Sequence, residues 1–182
     1  MTKIIYKAFF NYDSLCAIDL HGTDQSLPFD LNYEISLNQK FDITINFGTG
    51  EHVFNVFQFF KTIHERVKPD GIMLHAMPFL GWVDHGFFNF QPTFYWDLAE
   101  ANSYEVLAFL FILGKDFVNL DDRKTTASYL MKLQTEPQEL PIFPSNIYVA
   151  MKQSGKPEEF KVPMQSFFQI TPEEYWSLSK KF

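Results

Sequence analysis

The hydrophobic and polar positions in the first half of the chain predict strands that alternate with helices. Residues 15–20 form a short apolar run, and residues 41–47 form a second run that ends at Gly48. Runs of this length bounded by turn residues are typical of buried strands. Between Val53 and Val67 the apolar positions instead recur every three or four residues, which indicates a helix with one apolar stripe.

The segment after this helix returns to a strand pattern. Lys68-Pro69-Asp70-Gly71 ends the helix, and residues 72–77 form a third apolar run. A strand–helix–strand unit of this length is typical of a crossover between neighbouring parallel strands. The remaining predicted elements are a helix, two strands and a C-terminal turn of helix, over residues 93–102, 105–113, 147–151 and from Pro172.

This alternation predicts an α/β sandwich formed by a single domain, residues 1–182. Residues 114–146 are charged and contain proline, and we expect them to form a surface excursion. Residues 147–182 then supply the last strand and the C-terminal segment.

The composition and net charge of the chain disfavour some classes of binding partner. The 182 residues are 46% hydrophobic, which supports a packed core, and carry a net charge of −7, which disfavours nucleic acid and anionic membranes as partners. The only cysteine, Cys16, lies in an apolar run and is predicted to be a buried filler. The start of the chain lacks a signal-peptide pattern, and the longest apolar run, residues 106–113, is too short to cross a bilayer. We therefore expect a soluble, cytoplasmic protein.

Three segments resemble the second half of a class I S-adenosylmethionine (SAM) methyltransferase domain. The segment D42-I-T-I-N-F-G-T-G-E-H52 is similar to the family's fourth strand and its Glu-His pair. K68-P-D-G71 is similar to the "K-P-G-G" before the fifth strand, with Asp70 where glycine is usual. H85-G-F-F-N-F-Q-P92 resembles the H-G-F-x-N-x-Q-P segment of a bacterial subgroup. The resemblance covers roughly residues 15–112.

The resemblance implies a fold and a reaction. The fold would be a three-layer α/β sandwich around a mostly parallel, Rossmann-like sheet of the class I methyltransferase type, incomplete at its N-terminus. The cofactor would be SAM, and the reaction would be methyl transfer to a small-molecule or saccharide-type acceptor.

The same resemblance assigns the cofactor site residue by residue. Asp19 matches the acid that binds the ribose hydroxyls, and Asp30 matches the carboxylate near the adenine edge. The residues that match the pocket beside the methionine part of SAM, or the mouth of the site, are Asn46, Phe47, Gly48, Glu51 and His52.

The loop after the third strand is the expected acceptor side. His85 is the candidate catalytic residue, as a general base for an acceptor hydroxyl or amine, and Asn89 and Gln91 are candidate substrate-binding residues. A purely structural role for His85 stays open. His52, His64, His75 and His85 are spaced about eleven residues apart, so their spacing predicts no metal site. His64 is predicted to be solvated on its helix, and His75 to be a hydrogen-bonded core residue.

One departure from the family affects the whole prediction. The glycine-rich loop that holds the amino-acid end of SAM has no counterpart, because residues 1–14 are too few for a strand, that loop and a helix. Three explanations stay open: a fragment of a longer reading frame, a sheet completed by a partner chain or a second copy, or a degenerate relative. The alternative function is therefore a non-catalytic methyltransferase homologue that acts as a binding or assembly partner.

Overall fold

The computed structural model describes residues 12–113, 116–136 and 144–166. In chain order the strands are β1 (Ile18–Asp19), β2 (Leu27–Pro28), β3 (Phe41–Phe47), β4 (Val67–Leu80), β5 (Glu105–Leu113), β6 (Asp116–Asn119) and β7 (Ser145–Lys152). The helices are α1 (Val56–Arg66), α2 (Pro92–Ala101) and α3 (Arg123–Thr135), and a short 3-10 turn covers Gly50–His52. The turn of helix predicted after Pro172 lies outside the described residues.

The main sheet is mixed, so the prediction of a mostly parallel Rossmann-like sheet is wrong. Its strand order is β3-β4-β7-β5-β6, and only β3 and β4 pair in parallel. β7 lies between β4 and β5 and is antiparallel to both. β6 follows β5 after a very short connection, which permits only antiparallel pairing. β1 and β2 form a separate two-stranded sheet.

The predicted three-layer sandwich is also wrong for the described residues, whose helices contribute to one core on one face of the sheet. Alternate side chains of β4, including Met73 and Met77, are buried in that core. The residues that the helices contribute to it include Phe59, Phe60, Tyr95, Leu98 and Leu133. The opposite face of β3 carries Ile43, Ile45 and Phe47, which are between 36% and 53% exposed. The described residues therefore form two layers where the sequence predicted three.

Several predicted elements are confirmed by the structure. β3 and β5 have the predicted bounds, and β3–α1–β4 is a parallel crossover as predicted. α1 begins at Val56 because the side chain of Asn55 accepts a hydrogen bond from the backbone N–H of Gln58. The segment expected to be a surface excursion is not among the confirmed elements, because it contains β6, a strand of the main sheet, and α3, and its residues Leu120 and Leu133 are buried.

Two side-chain predictions are wrong. His64 is buried, not solvated: its ring nitrogens lie 2.6 Å from the Tyr104 hydroxyl and 2.8 Å from the Glu158 carbonyl oxygen. These partners are forty or more residues away, so the helix pattern around His64 could not reveal them. Cys16 is only half-buried and borders a cleft.

None of the helices in the described part of the chain is long and apolar enough to cross a membrane.

Candidate functional site

Because β3 and β4 are parallel, the segments that follow them lie at the same end of the two strands, which we call the carboxyl edge of the pair. β3 ends at Phe47 and is followed by Gly48, which has a φ of 72° that favours glycine. The Gly48 N–H donates to the carbonyl oxygen of Ala76 on β4, which holds this turn against the neighbouring strand. In α/β sheets the region beyond the carboxyl ends of parallel strands is the usual place for a ligand.

Asn46 fixes the turn from inside. Its side chain is buried, its Oδ1 accepts from the Gly50 N–H at 3.2 Å, and its Nδ2 lies 3.2 Å from His75 Nδ1. Burial lowers the pKa of His75 to about 3, so its ring is neutral and Nδ1 can accept that hydrogen bond. As predicted, His75 is a hydrogen-bonded core histidine. The Asn46 amide thus joins β3, β4 and the start of the Gly50–His52 turn.

Glu51 anchors the loop after β4 to this turn. Its backbone carbonyl oxygen accepts from the N–H of Phe87 at 2.8 Å and of Phe88 at 3.3 Å. Gly86 packs so closely that an added Cβ would lie 2.9 Å from the Glu51 carbonyl oxygen and 3.1 Å from His52 Nδ1. The contact between the two segments therefore requires glycine at position 86.

This packing brings Glu51, His52 and His85 together. Glu51 Oε1 lies 3.8 Å from His52 Nε2 and 3.6 Å from His85 Nε2. One ligand atom from each of the three residues falls within 4.8 Å of the others. The Glu51 side chain is 1% exposed, whereas those of His52 and His85 are 50% and 38% exposed. The cluster thus has a buried carboxylate below and two imidazoles toward solvent.

One oxygen of the Glu51 carboxylate, Oε2, is buried without a hydrogen-bond partner. The pKa of the Tyr95 hydroxyl is raised well above its ordinary value, first by burial and then by the charge of Glu51. A buried carboxylate is costly unless it is paired with a positive charge or bound to a metal. The two imidazole groups lie on the other side of this carboxylate, next to its Oε1.

A separate cleft of about 520 Å³ runs along the outer edge of β3. Residues 14–18 form one wall, and β3 with Phe59, Thr62 and Ile63 of α1 forms the other. Its volume is within the range of small-molecule and cofactor sites. The polar side chains that border it include Thr23, Gln25, Ser26, Thr49 and Arg66.

The structure distributes the predicted site residues unevenly. Asn46 and Phe47 border the cleft, but Asp19 and Asp30 are not among the described residues that do so. Asp19 Oδ1 accepts from the His21 N–H, and Asp30 Oδ1 accepts from the Asn32 backbone and side chain. Both carboxylates therefore stabilise local turns.

The predicted acceptor residues also have local roles in the structure. Asn89 donates from its side chain to the Trp82 carbonyl oxygen at 3.2 Å, which closes the loop after β4. Gln91 is the exposed residue that precedes α2. Trp82 packs against His85 with ring centroids 4.5 Å apart. His85 is therefore positioned by an aromatic ring and by the turn at Glu51.

Sequence reasoning missed how the cleft and the cluster are built. The polar residues Thr23, Gln25 and Ser26 carry no local pattern that distinguishes a cleft wall from an ordinary loop. The approach of His85 to Glu51 had one signal, Gly86, because the close contact at that position excludes a side chain.

Comparison of the chain with protein families and with curated proteins found no relative. No protein-family model matches the chain, and no curated protein matches it. The resemblance to class I methyltransferases therefore rests on the three sequence segments and their spacing.

Proposed function

We propose that the chain binds SAM and takes part in methyl transfer to a small-molecule or saccharide-type acceptor in the cytoplasm. The observation that carries the proposal is the carboxyl edge of the parallel pair β3–β4. Gly48, Glu51 and His52 follow β3 there, and His85 follows β4 and meets them. This is the edge at which the motif resemblance expects the cofactor and the acceptor to meet.

The cleft beside β3 supports the proposal because its chemistry suits an adenosyl group. Ile43 and Ile45 offer apolar surface to a purine ring, and hydroxyl and amide side chains border the same space. Ribose hydroxyls need hydrogen-bond acceptors, and serine, threonine and glutamine can supply them. In this proposal Thr23, Gln25 and Ser26 replace Asp19 and Asp30 as the ribose and adenine contacts.

The reaction itself demands little acid–base chemistry. An acceptor oxygen or nitrogen attacks the methyl carbon, the carbon–sulfur bond breaks, and the sulfonium becomes a neutral thioether. The acceptor's proton leaves to a base or to water, and the protein mainly aligns the reacting atoms. His85 occupies the position that faces the acceptor in this proposal, with Asn89 shaping its loop.

Calorimetric titration with SAM and with its demethylated product S-adenosylhomocysteine tests the proposal. We expect saturable binding by the natural chain and loss of binding by Ile45→Trp, whose ring would fill the cleft. The matched control is Leu107→Trp, because Leu107 is a similarly exposed apolar residue on β5 of the same sheet. No saturation up to millimolar ligand, or equal binding by Ile45→Trp, contradicts the proposal.

One observation favours the second candidate function, assembly with a partner that completes the sheet. β3 is the first strand in the sheet order and has no strand paired to its outer edge among the described residues. An edge of this kind with exposed Ile43, Ile45 and Phe47 is a template for pairing with another strand. The partner in this second proposal is a second copy of the chain, whose β3 would pair about a twofold axis.

Measurement of the molecular mass in solution tests this second candidate. We expect a dimer for the natural chain and for Leu107→Lys, and a monomer for Ile45→Lys, because a charged side chain blocks edge pairing. A natural chain that stays monomeric at about 100 μM, well above the Kd of about 1 μM expected of a stable pair, contradicts assembly through β3.

A further inference from the structure

The groups of Glu51, His52 and His85 that could bind a ligand are held together by contacts that do not involve those groups. The loop after β4 docks through the N–H groups of Phe87 and Phe88 onto the Glu51 backbone, and Gly86 permits the close approach. Asn46 fixes the other side through the Gly50 N–H. The three side chains are therefore brought together by the fold itself, and a ligand would find them preorganised.

From this geometry we infer that Glu51, His52 and His85 form a binding site for a divalent transition-metal ion, with Zn²⁺ the ion that fits best. This inference does not depend on the proposed methyl transfer. Tetrahedral zinc with ligand bonds of about 2.1 Å separates neighbouring donor atoms by about 3.4 Å. The observed separations of 3.6 Å and 3.8 Å from Glu51 Oε1 to the two Nε2 atoms are close to that value.

The burial of Glu51 supplies an independent reason for a cation. Its side chain is 1% exposed, and its Oε2 has no hydrogen-bond partner. The adjacent Tyr95 hydroxyl is also buried without a partner and offers the carboxylate no positive charge. A metal ion bound to the carboxylate on the imidazole side would balance this buried charge.

The donor set selects the class of metal. Two imidazole nitrogens and one carboxylate are suited to zinc and other late first-row ions, whereas Mg²⁺ and Ca²⁺ prefer sites made of oxygen ligands. Three protein ligands with two half-exposed histidines leave a coordination position open to water or to a ligand. With its Nε2 bound to the metal, His85 would not be available as a free base at that nitrogen.

Titration with ZnCl₂, followed by calorimetry and by competition with a chromophoric chelator, tests the inference. We expect one zinc ion per chain and no comparable binding of Mg²⁺. His85→Ala and Glu51→Gln should each weaken zinc binding at least about tenfold, since changes even to groups behind a ligand have effects of that size.

The matched control is His21→Ala, which removes an exposed histidine remote in sequence from the cluster. Thermal unfolding without metal checks that each variant is folded. If Glu51→Gln does not fold, His85→Ala alone tests the inference, because His85 lies on an exposed loop. Replacement of zinc by Co²⁺ should give the visible absorption of a low-coordinate ion in the natural chain. The inference is overturned if the natural chain binds zinc no more tightly than His85→Ala, or if His21→Ala loses binding equally.

Discussion

The buried amide of Asn46 gives the most direct test of how the edge of the sheet is built. Asn46→Ala would remove the hydrogen-bond acceptor of the Gly50 N–H and the donor to His75 Nδ1, at 3.2 Å each. It would also remove the contact of Asn46 Nδ2 with the Met77 sulfur at 3.1 Å. All of these groups lie in the buried interior, where water cannot replace the lost partner.

The magnitude follows from the two groups left without a partner. Each buried donor or acceptor that loses its partner costs about 1–3 kcal/mol, so the free energy of unfolding should fall by at least about 2 kcal/mol. For a chain of this length that corresponds to a decrease in Tm of at least about 4–8 °C. The loss should also lower zinc affinity, because Gly50 directly precedes Glu51.

Urea unfolding followed by far-UV circular dichroism measures this change. The matched control is Thr44→Val, two residues earlier on the same face of β3, because the Thr44 hydroxyl is buried without a hydrogen-bond partner. That substitution keeps the side-chain shape and should leave stability unchanged or slightly higher. A loss below about 0.5 kcal/mol for Asn46→Ala, the range of ordinary surface substitutions, would refute the reasoning.

Two further predictions concern the same region. The pKa of His75 is near 6.5 in the unfolded chain and about 3 in the folded one, so the unfolded chain binds the extra proton between these values. The free energy of unfolding should therefore fall as the pH drops from about 6.5 toward 3, by up to about 1.4 kcal/mol per pH unit. In denaturation curves measured across this pH range, His75→Gln should show a smaller change in the free energy of unfolding with pH. An equal change in both chains would contradict this prediction. Gly86→Ala should cost about 1–3 kcal/mol in urea unfolding and weaken zinc binding, because its Cβ would meet the Glu51 backbone. Gly155→Ala should cost less, since its Cβ meets only the flexible Asp70 side chain, and a similar loss in both would argue against this account.

Much of the local structure could be predicted because it is encoded locally. The apolar run of β3, the 3.6-residue stripe of α1 and the glycine after β3 each act over a few neighbouring residues. The parallel crossover followed from the length of the connection. The failure at His64 has the complementary cause, since its partners Tyr104 and Glu158 come from distant parts of the chain.

The candidate site could be predicted only as a set of separate residues. Glu51, His52 and His85 were each singled out by the motif resemblance, but their spacing in sequence predicted no metal site. Residues 52 and 85 are on different segments, and only the docking of the loop onto the Glu51 carbonyl brings their rings to a centroid distance of 5.1 Å. Asp19 and Asp30 show the opposite case, because each is used in its own turn.

By itself the sequence determined where β3, α1, α2 and β5 form, because side-chain periodicity and turn residues act through neighbouring backbone. Beyond the β3–β4 crossover, it did not determine the direction in which strands pair. An alternating or apolar strand buries its side chains equally well beside a parallel or an antiparallel neighbour, and the choice depends on where the chain returns. Only the tertiary structure decided that β7 enters antiparallel between β4 and β5, that the helices pack on one face, and that a buried carboxylate meets two histidines.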